Sequence, residues 1–139
     1  MRKIEKLQER ALRYLLQDNK SDYAELIRKS RYETLHLRRL KTIATEVFKS
    51  LNGLNPQFMK ELFKVNDISY GLRDETILTQ PKFKKITYGY NTFSYYGAHL
   101  WNKLPRNLKG GISLHSFKTI ISKWEGPNCN CTLCNVNMY

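Results

Sequence analysis

The residue types best suited to chemistry in this sequence are three cysteines near its end. Cys129, Cys131 and Cys134 fall within six consecutive positions, and two thiolates separated by two residues can wrap one zinc ion. A structural zinc ion takes four ligands, and the local sequence lacks the fourth. His115, 14 residues before Cys129, is the best candidate for it, and His99 is the next. The cluster predicts a zinc site; the alternatives are three free thiols or a metal site completed by another chain.

The same cysteines bear on the compartment. An odd, clustered set without a secretory signal favours reduced thiols over structural disulfides. The basic start Met1-Arg2-Lys3 is not followed by an apolar segment, so no signal peptide is predicted. No run of about 18 apolar residues is present to span a membrane. We expect an intracellular protein, nuclear or cytoplasmic, that is not secreted and has no membrane partner.

The acidic residues do not form a catalytic constellation. Two-metal polymerases hold their ions with clustered aspartates, whereas Asp18, Asp22, Asp67 and Asp74 are not adjacent to one another. No glycine-rich phosphate loop and no Gly-x-Ser-x-Gly turn occurs, and the three histidines are scattered. We therefore expect no catalytic residue in this chain and no small-molecule substrate.

The charge balance is the strongest indication of a partner. Lys and Arg number 24 against 12 Asp and Glu, which gives a formal net charge of +12. This excess costs self-repulsion, and a polyanion offsets it because binding releases condensed counterions. RNA or DNA is the predicted partner. The alternatives are a basic face that docks on an acidic partner or merely keeps the chain soluble, and an anionic membrane surface. The cations expected to contact phosphates are Lys3, Lys6, Arg10, Arg13, Arg38, Arg39, Lys82, Lys84 and Lys85.

The first four of these cations recur at spacings of three, four and three residues. On a helix this spacing places them on one face within about 15 Å, where they could follow a phosphate backbone. An ordinary solvated face is the alternative. Tyr95 or Trp101 could stack on a base, although both are equally suited to the core.

Hydrophobic periodicity predicts an α+β fold that is mostly α. We expect an N-terminal bundle of three to four helices, a small β-hairpin region, two short helices and a Cys-containing tail. The predicted helices cover residues 3–17, a segment capped by Ser21, a segment from Thr34 to Leu51, Pro56 to Phe63, Phe93 to Asn102, and a segment from Ser113 to Trp124. The predicted strands are Ile68–Leu72, Ile77–Gln80 and Phe83–Tyr88.

These elements suggest three regions. Residues 1–64 are helical and basic, residues 65–126 form a small α+β region with the hairpin and two helices, and residues 127–139 are the Cys-containing tail. We expect the first two regions to pack together as one domain.

Several short motifs occur in a fixed order along the chain. They lie at residues 6–13, 35–40, 47–56 and 71–73, then at Tyr95-Tyr96-Gly97-Ala98-x-Leu100-Trp101-Asn102-x-Leu104-Pro105 and Ser113-Leu114-x-Ser116-Phe117-Lys118. In this order they resemble the C-terminal tail of the reverse transcriptase polyprotein of non-LTR retrotransposons, the LINE-like elements of the jockey kind. The likeness extends from about Lys3 to Cys134.

The resemblance implies a parent that is an RNA-directed DNA polymerase, and a tail that helps to hold template RNA or target DNA. It also implies that the chain is a truncated fragment, with the upstream polymerase domains as further partners. The predicted function is therefore non-catalytic nucleic-acid binding. A non-functional remnant, or a protein-interaction module with a basic surface, is the alternative.

Overall fold

The computed structural model describes residues 2–66, 77–84, 89, 92–110 and 113–126, and only the backbone of residues 2 and 3. Within these ranges the chain is mostly helical. The helices are α1 (Arg2–Leu16), α2 (Tyr23–Ser30), α3 (Leu35–Leu51), α4 (Gln57–Glu61), α5 (Phe93–Lys103), α6 (Arg106–Lys109) and α7 (Leu114–Ser122). None of these described helices is long and apolar enough to cross a membrane.

The described residues divide into two compact units. The N-terminal unit holds residues 2–39 with residue 126, and the central unit holds residues 40–125, so the boundary falls inside α3. The predicted region boundary at residue 64 lies within the central unit. The expectation that the two predicted regions pack as one domain stays a prediction.

In the N-terminal unit, α1 and α2 bury Leu12 and Leu26. The loop between them is organised by Asp18, whose carboxylate accepts hydrogen bonds from the backbone of Lys20 and Ser21 and from the Ser21 hydroxyl. The predicted Ser21 cap is wrong by one residue: Asp22 is the N-cap of α2 and accepts from the amide of Glu25 at 2.7 Å. Ser21 is unsuitable because its hydroxyl is already engaged by Asp18.

The core of the central unit is built on α3, α5 and α7. Phe117 of α7 is fully buried and stacks on Phe48 of α3, with ring centroids 4.4 Å apart, and on Trp101 of α5, at 6.2 Å. Gly97 allows α5 to pack closely against Val47 of α3 and against Phe63. A Cβ at this position would lie 2.9 Å from Val47 Cγ2 and 3.0 Å from the Phe63 ring. The core further includes Leu40, Ala44, Leu78, Ala98, Leu100, Leu104, Leu108 and Ile121.

The predicted hairpin is not seen in the described residues. In place of a strand, residues 77–80 form one isolated antiparallel bridge, between Leu78 and Val65. Asn66 N donates to Ile77 O, and Thr79 N donates to Lys64 O, both at 2.8 Å. Residues 68–72 and most of the predicted strand at 83–88 lie outside the described residues.

α3 ends where the sequence predicts. Asn52 donates its side-chain amide to the carbonyl of Phe48 at 2.8 Å, and Gly53 follows with φ +67°. A left-handed residue here favours glycine, which has no Cβ to clash with its own backbone.

Candidate nucleic-acid interface

The cations predicted on α1 are not equivalent. Lys6 and Arg10 are exposed. Arg13 forms a salt bridge with Glu9 at 2.8 Å, and both side chains are only about one-third exposed. Because Glu9 neutralises much of the Arg13 charge, Arg13 would attract a phosphate less strongly than Lys6 or Arg10. The side chain of Lys3 lies outside the described residues.

Arg38 and Arg39 lie just after the first turn of α3, where a helix dipole disfavours cations. The Glu5 carboxylate offsets this unfavourable placement, because it lies at the same helix end and accepts a hydrogen bond from His36 N at 2.9 Å. Thr34 Oγ1 accepts from Leu37 N at 3.2 Å, which confirms the predicted start of this helix. Burial and the Arg39 charge together hold the pKa of His36 below its ordinary value.

Lys82 and Lys84 are exposed in the central unit, and Lys85 lies outside the described residues. The predicted stacking role of Trp101 is wrong, because this residue is 2% exposed and belongs to the core. Tyr95 is half-buried between Phe83, at a centroid distance of 5.0 Å, and His99, at 6.0 Å.

Two helices of the central unit bring three lysines together, and the sequence does not reveal this arrangement. Lys41 Nζ of α3 donates to the Ser122 carbonyl of α7 at 2.6 Å. One turn before Ser122, Lys118 is close enough to Glu46 of α3 to lower the pKa of its carboxyl. Together with the contact of Phe48 and Phe117, these pairings show that α3 and α7 run antiparallel.

The third lysine is Lys49, whose Nζ donates to Glu46 Oε1 at 2.7 Å. This bond is the largest cause of the lowered pKa of Glu46, followed by the Asn55 amide and the Lys118 charge. Lys49 and Lys118 thus both act on the carboxylate of Glu46, and Lys41 binds α7 one turn further along, at Ser122. We call these three lysines the α3–α7 basic seam, and it carries a net charge of +2 with Glu46 included.

The motifs that carry the retrotransposon resemblance have structural roles. Ser113 caps α7 by accepting from Ser116 N at 3.1 Å, Gly97 permits close helix packing, and Phe117 fills the core. Asn55 donates to Glu46 Oε2 at 3.2 Å and to Ser50 Oγ at 3.1 Å. Most of these motif residues therefore stabilise the fold. Lys49 and Lys118 are the motif residues that belong to the seam.

The predicted zinc ligands Cys129, Cys131 and Cys134 lie outside the described residues. His115 is exposed on α7. His99 is turned inward: its Nδ1 lies 3.1 Å from Gln80 Nε2, and its Nε2 is buried. Of these two candidates for the fourth ligand, only His115 is accessible. Among the described residues no group of three His, Cys, Asp or Glu side chains could hold a metal ion.

Comparisons with protein-family models, with curated proteins and with solved structures find no match to this chain.

Proposed function

We propose that the chain is a non-catalytic, nucleic-acid-binding region of a non-LTR retrotransposon reverse transcriptase, in line with the resemblance of its motifs. The observation that supports binding most directly is the α3–α7 basic seam. The central unit contains thirteen Lys and Arg against six Asp and Glu. Its described part holds three of those cations along the contact between α3 and α7, two of them acting on the Glu46 carboxylate.

Lysine side chains are well suited to bind a nucleic acid independently of its base sequence. A lysine ammonium is a point charge on a flexible stem, and it satisfies a phosphate without imposing the planar geometry of an arginine. Phosphate contacts position a nucleic acid but do not read its bases. We therefore expect similar affinity for RNA and single-stranded DNA of different sequences.

An exposed aromatic residue lies close in sequence to a residue that contacts the seam. Phe58 is 63% exposed and follows Asn55, which binds the seam carboxylate Glu46, by three residues. Proteins that hold single strands combine a basic groove with aromatic side chains on which bases stack. We propose Phe58 for this role, in place of Trp101.

The finer expectations of the sequence belong to the same proposal. The Val65–Leu78 bridge supports a small α+β element after residue 64. The accessible position of His115 supports its choice as fourth zinc ligand. In this proposal the lysines of the seam bind the nucleic acid. The upstream domains of the parent carry out the polymerase chemistry.

Fluorescence anisotropy with a labelled 20-nucleotide RNA and the matching single-stranded DNA tests the proposal. The seam variant replaces Lys41, Lys49 and Lys118 by Gln. The control variant removes the same charge from Lys20, Arg28 and Arg31, which are exposed in the N-terminal unit. We expect the seam variant to lose at least about tenfold more affinity than the control. Equal losses in the two variants would contradict the proposal.

A further inference from the structure

Helix α1 has an exposed apolar face that its own unit does not cover. The side chains of Ile4, Leu7, Tyr14 and Leu15 are 50%, 60%, 89% and 67% exposed, and Ala11 between them is also exposed. We call these five residues the α1 apolar face. An adjacent side of the helix packs within the unit, where Leu12 is 5% exposed.

The spacing of this face is that of a helix-pairing seam. Positions 4, 7, 11 and 14 alternate steps of three and four residues, which is the repeat that inserts side chains into the holes of a facing helix. The face spans about 15 Å along the helix axis, or close to three turns. An exposed stripe of this kind fits a second helix better than a flat surface.

The charges beside the face indicate the chemistry of that helix. On the helical wheel, Arg10 borders the face on the side away from the body of the unit, and Lys6 lies next to Arg10. Both side chains are exposed. The described carboxylates of α1 are engaged elsewhere: Glu5 with Tyr23 Oη at 2.6 Å and His36 N at 2.9 Å, and Glu9 with Arg13 at 2.8 Å. The open border is therefore cationic.

The cationic border argues against two other occupants of the face, a second copy of this chain and a nucleic acid. In an antiparallel pair of copies, the Arg10 edge of one helix would face the Arg10 edge of the other. In a parallel pair, that edge would face Gln8 and Leu15, which offer no carboxylate. A nucleic acid would satisfy Arg10 and Lys6 but would leave the apolar side chains in water.

We propose that the α1 apolar face docks an amphipathic helix of a partner protein, with an apolar seam and acidic residues along one edge. The apolar seam covers Ile4, Leu7, Tyr14 and Leu15, and the acidic edge meets Arg10 and Lys6. This site is separate from the basic seam and does not depend on nucleic-acid binding.

Anisotropy of labelled helical peptides with the full chain tests this assignment. Three peptides share one length: an apolar heptad seam with Glu flanks, the same seam with Lys flanks, and the Glu-flanked helix with its seam changed to Ser. The Glu-flanked apolar peptide should bind at least about tenfold more tightly than either of the others. Equal binding of the Glu- and Lys-flanked peptides would overturn the proposal.

Two variants separate the apolar and charge contributions. Leu7→Glu with Leu15→Gln should abolish the preferred interaction, whereas Leu54→Ser, which removes an exposed apolar side chain of the central unit, should leave it unchanged. Arg10→Glu with Lys6→Glu should transfer the preference to the Lys-flanked peptide. Circular dichroism checks that each variant folds, and RNA affinity of the Leu7/Leu15 variant should stay within about twofold. A stable dimer that the Leu7/Leu15 substitutions dissociate would assign the face to a second copy and overturn the proposal.

Discussion

The side-chain amide of Asn102 forms two hydrogen bonds with the backbone of Leu78. Leu78 N donates to Asn102 Oδ1, and Asn102 Nδ2 donates to Leu78 O, each at 2.8 Å. The amide therefore presents a donor and an acceptor as the backbone of a neighbouring strand would. It anchors the segment after residue 76 to α5, and Leu78 itself is 2% exposed in the core.

This arrangement predicts that Asn102→Asp destabilises the central unit. The aspartate keeps the shape of the side chain but loses the Nδ2 donor and sets a carboxylate against the Leu78 carbonyl. We expect a loss of about 1–3 kcal/mol in the free energy of unfolding, measured by urea denaturation. Asn107→Asp on the exposed surface of α6 is the matched control; if both substitutions cost the same, the Asn102 clamp does not stabilise the fold.

Gly97→Ala should destabilise the protein even though alanine is the better helix former. An alanine in a helix interior ordinarily gains about 0.5–1 kcal/mol over glycine, but here the added Cβ would meet Val47 at 2.9 Å and Phe63 at 3.0 Å. We expect a net loss of about 1–3 kcal/mol from overpacking.

A double-mutant cycle tests the cause of that loss. Val47→Ala removes the nearest contact, so Gly97→Ala should cost less in a Val47→Ala background than in the unmodified chain. An additive result would show that the Val47 methyl groups are not the source of the strain.

Asp18 should stabilise the N-terminal unit in a pH-dependent way. The Lys29 ammonium, followed by the Ser21 hydroxyl, holds the pKa of Asp18 well below its ordinary value of 3.8. Because the folded-state pKa is depressed, the contribution is present above the unfolded pKa and is lost as pH falls toward the folded one. Asp18→Asn should therefore lower the thermal midpoint at pH 7, and the difference should shrink steadily below about pH 4.

Asp22→Asn is the control for this titration. Asparagine caps a helix as well as aspartate does, so this substitution should change the thermal midpoint little at pH 7 or at pH 3. A difference between the Asp18→Asn chain and the unmodified chain that stays constant from pH 7 to pH 3 would show that the carboxylate charge is not what stabilises the loop.

A zinc site on Cys129, Cys131, Cys134 and His115 predicts about one metal ion per purified chain, measured by elemental analysis. Cys131→Ser should remove the metal, and His115→Ala should weaken its retention, whereas His99→Ala should not. A metal content near zero in the unmodified chain would leave free thiols as the correct interpretation of the cluster.

The helices were largely predictable from sequence because their apolar positions recur at three and four residues. The pattern locates α3 from Thr34 to the Asn52-Gly53 stop, and it places Phe93 and Ser113 at helix starts, all as observed. The four-residue helix α6 was missed, since Arg106–Lys109 is too short to show a period.

The candidate site was less predictable, because periodicity places a residue on a helix face but does not identify the helix that it faces. Lys41 and Lys118 are 77 residues apart in sequence, and the antiparallel packing of Phe48 on Phe117 is what brings their helices together. The predicted α1 strip is evident from the spacing of its cations, but that spacing alone does not indicate that Glu9 pairs with Arg13. The role of Asn102 depends on a backbone segment 24 residues away.

The salt dependence of RNA binding tests the central claim most directly. For a single strand, log K falls with log salt by about 0.7 per phosphate contact, so loss of three contacts should make the slope shallower by about 2. We predict this change for the chain with Lys41, Lys49 and Lys118 replaced by Gln, and a smaller one for the variant at Lys20, Arg28 and Arg31. An unmodified chain that does not bind RNA or DNA at low salt, or identical slopes for the two variants, would contradict a nucleic-acid interface on the α3–α7 basic seam.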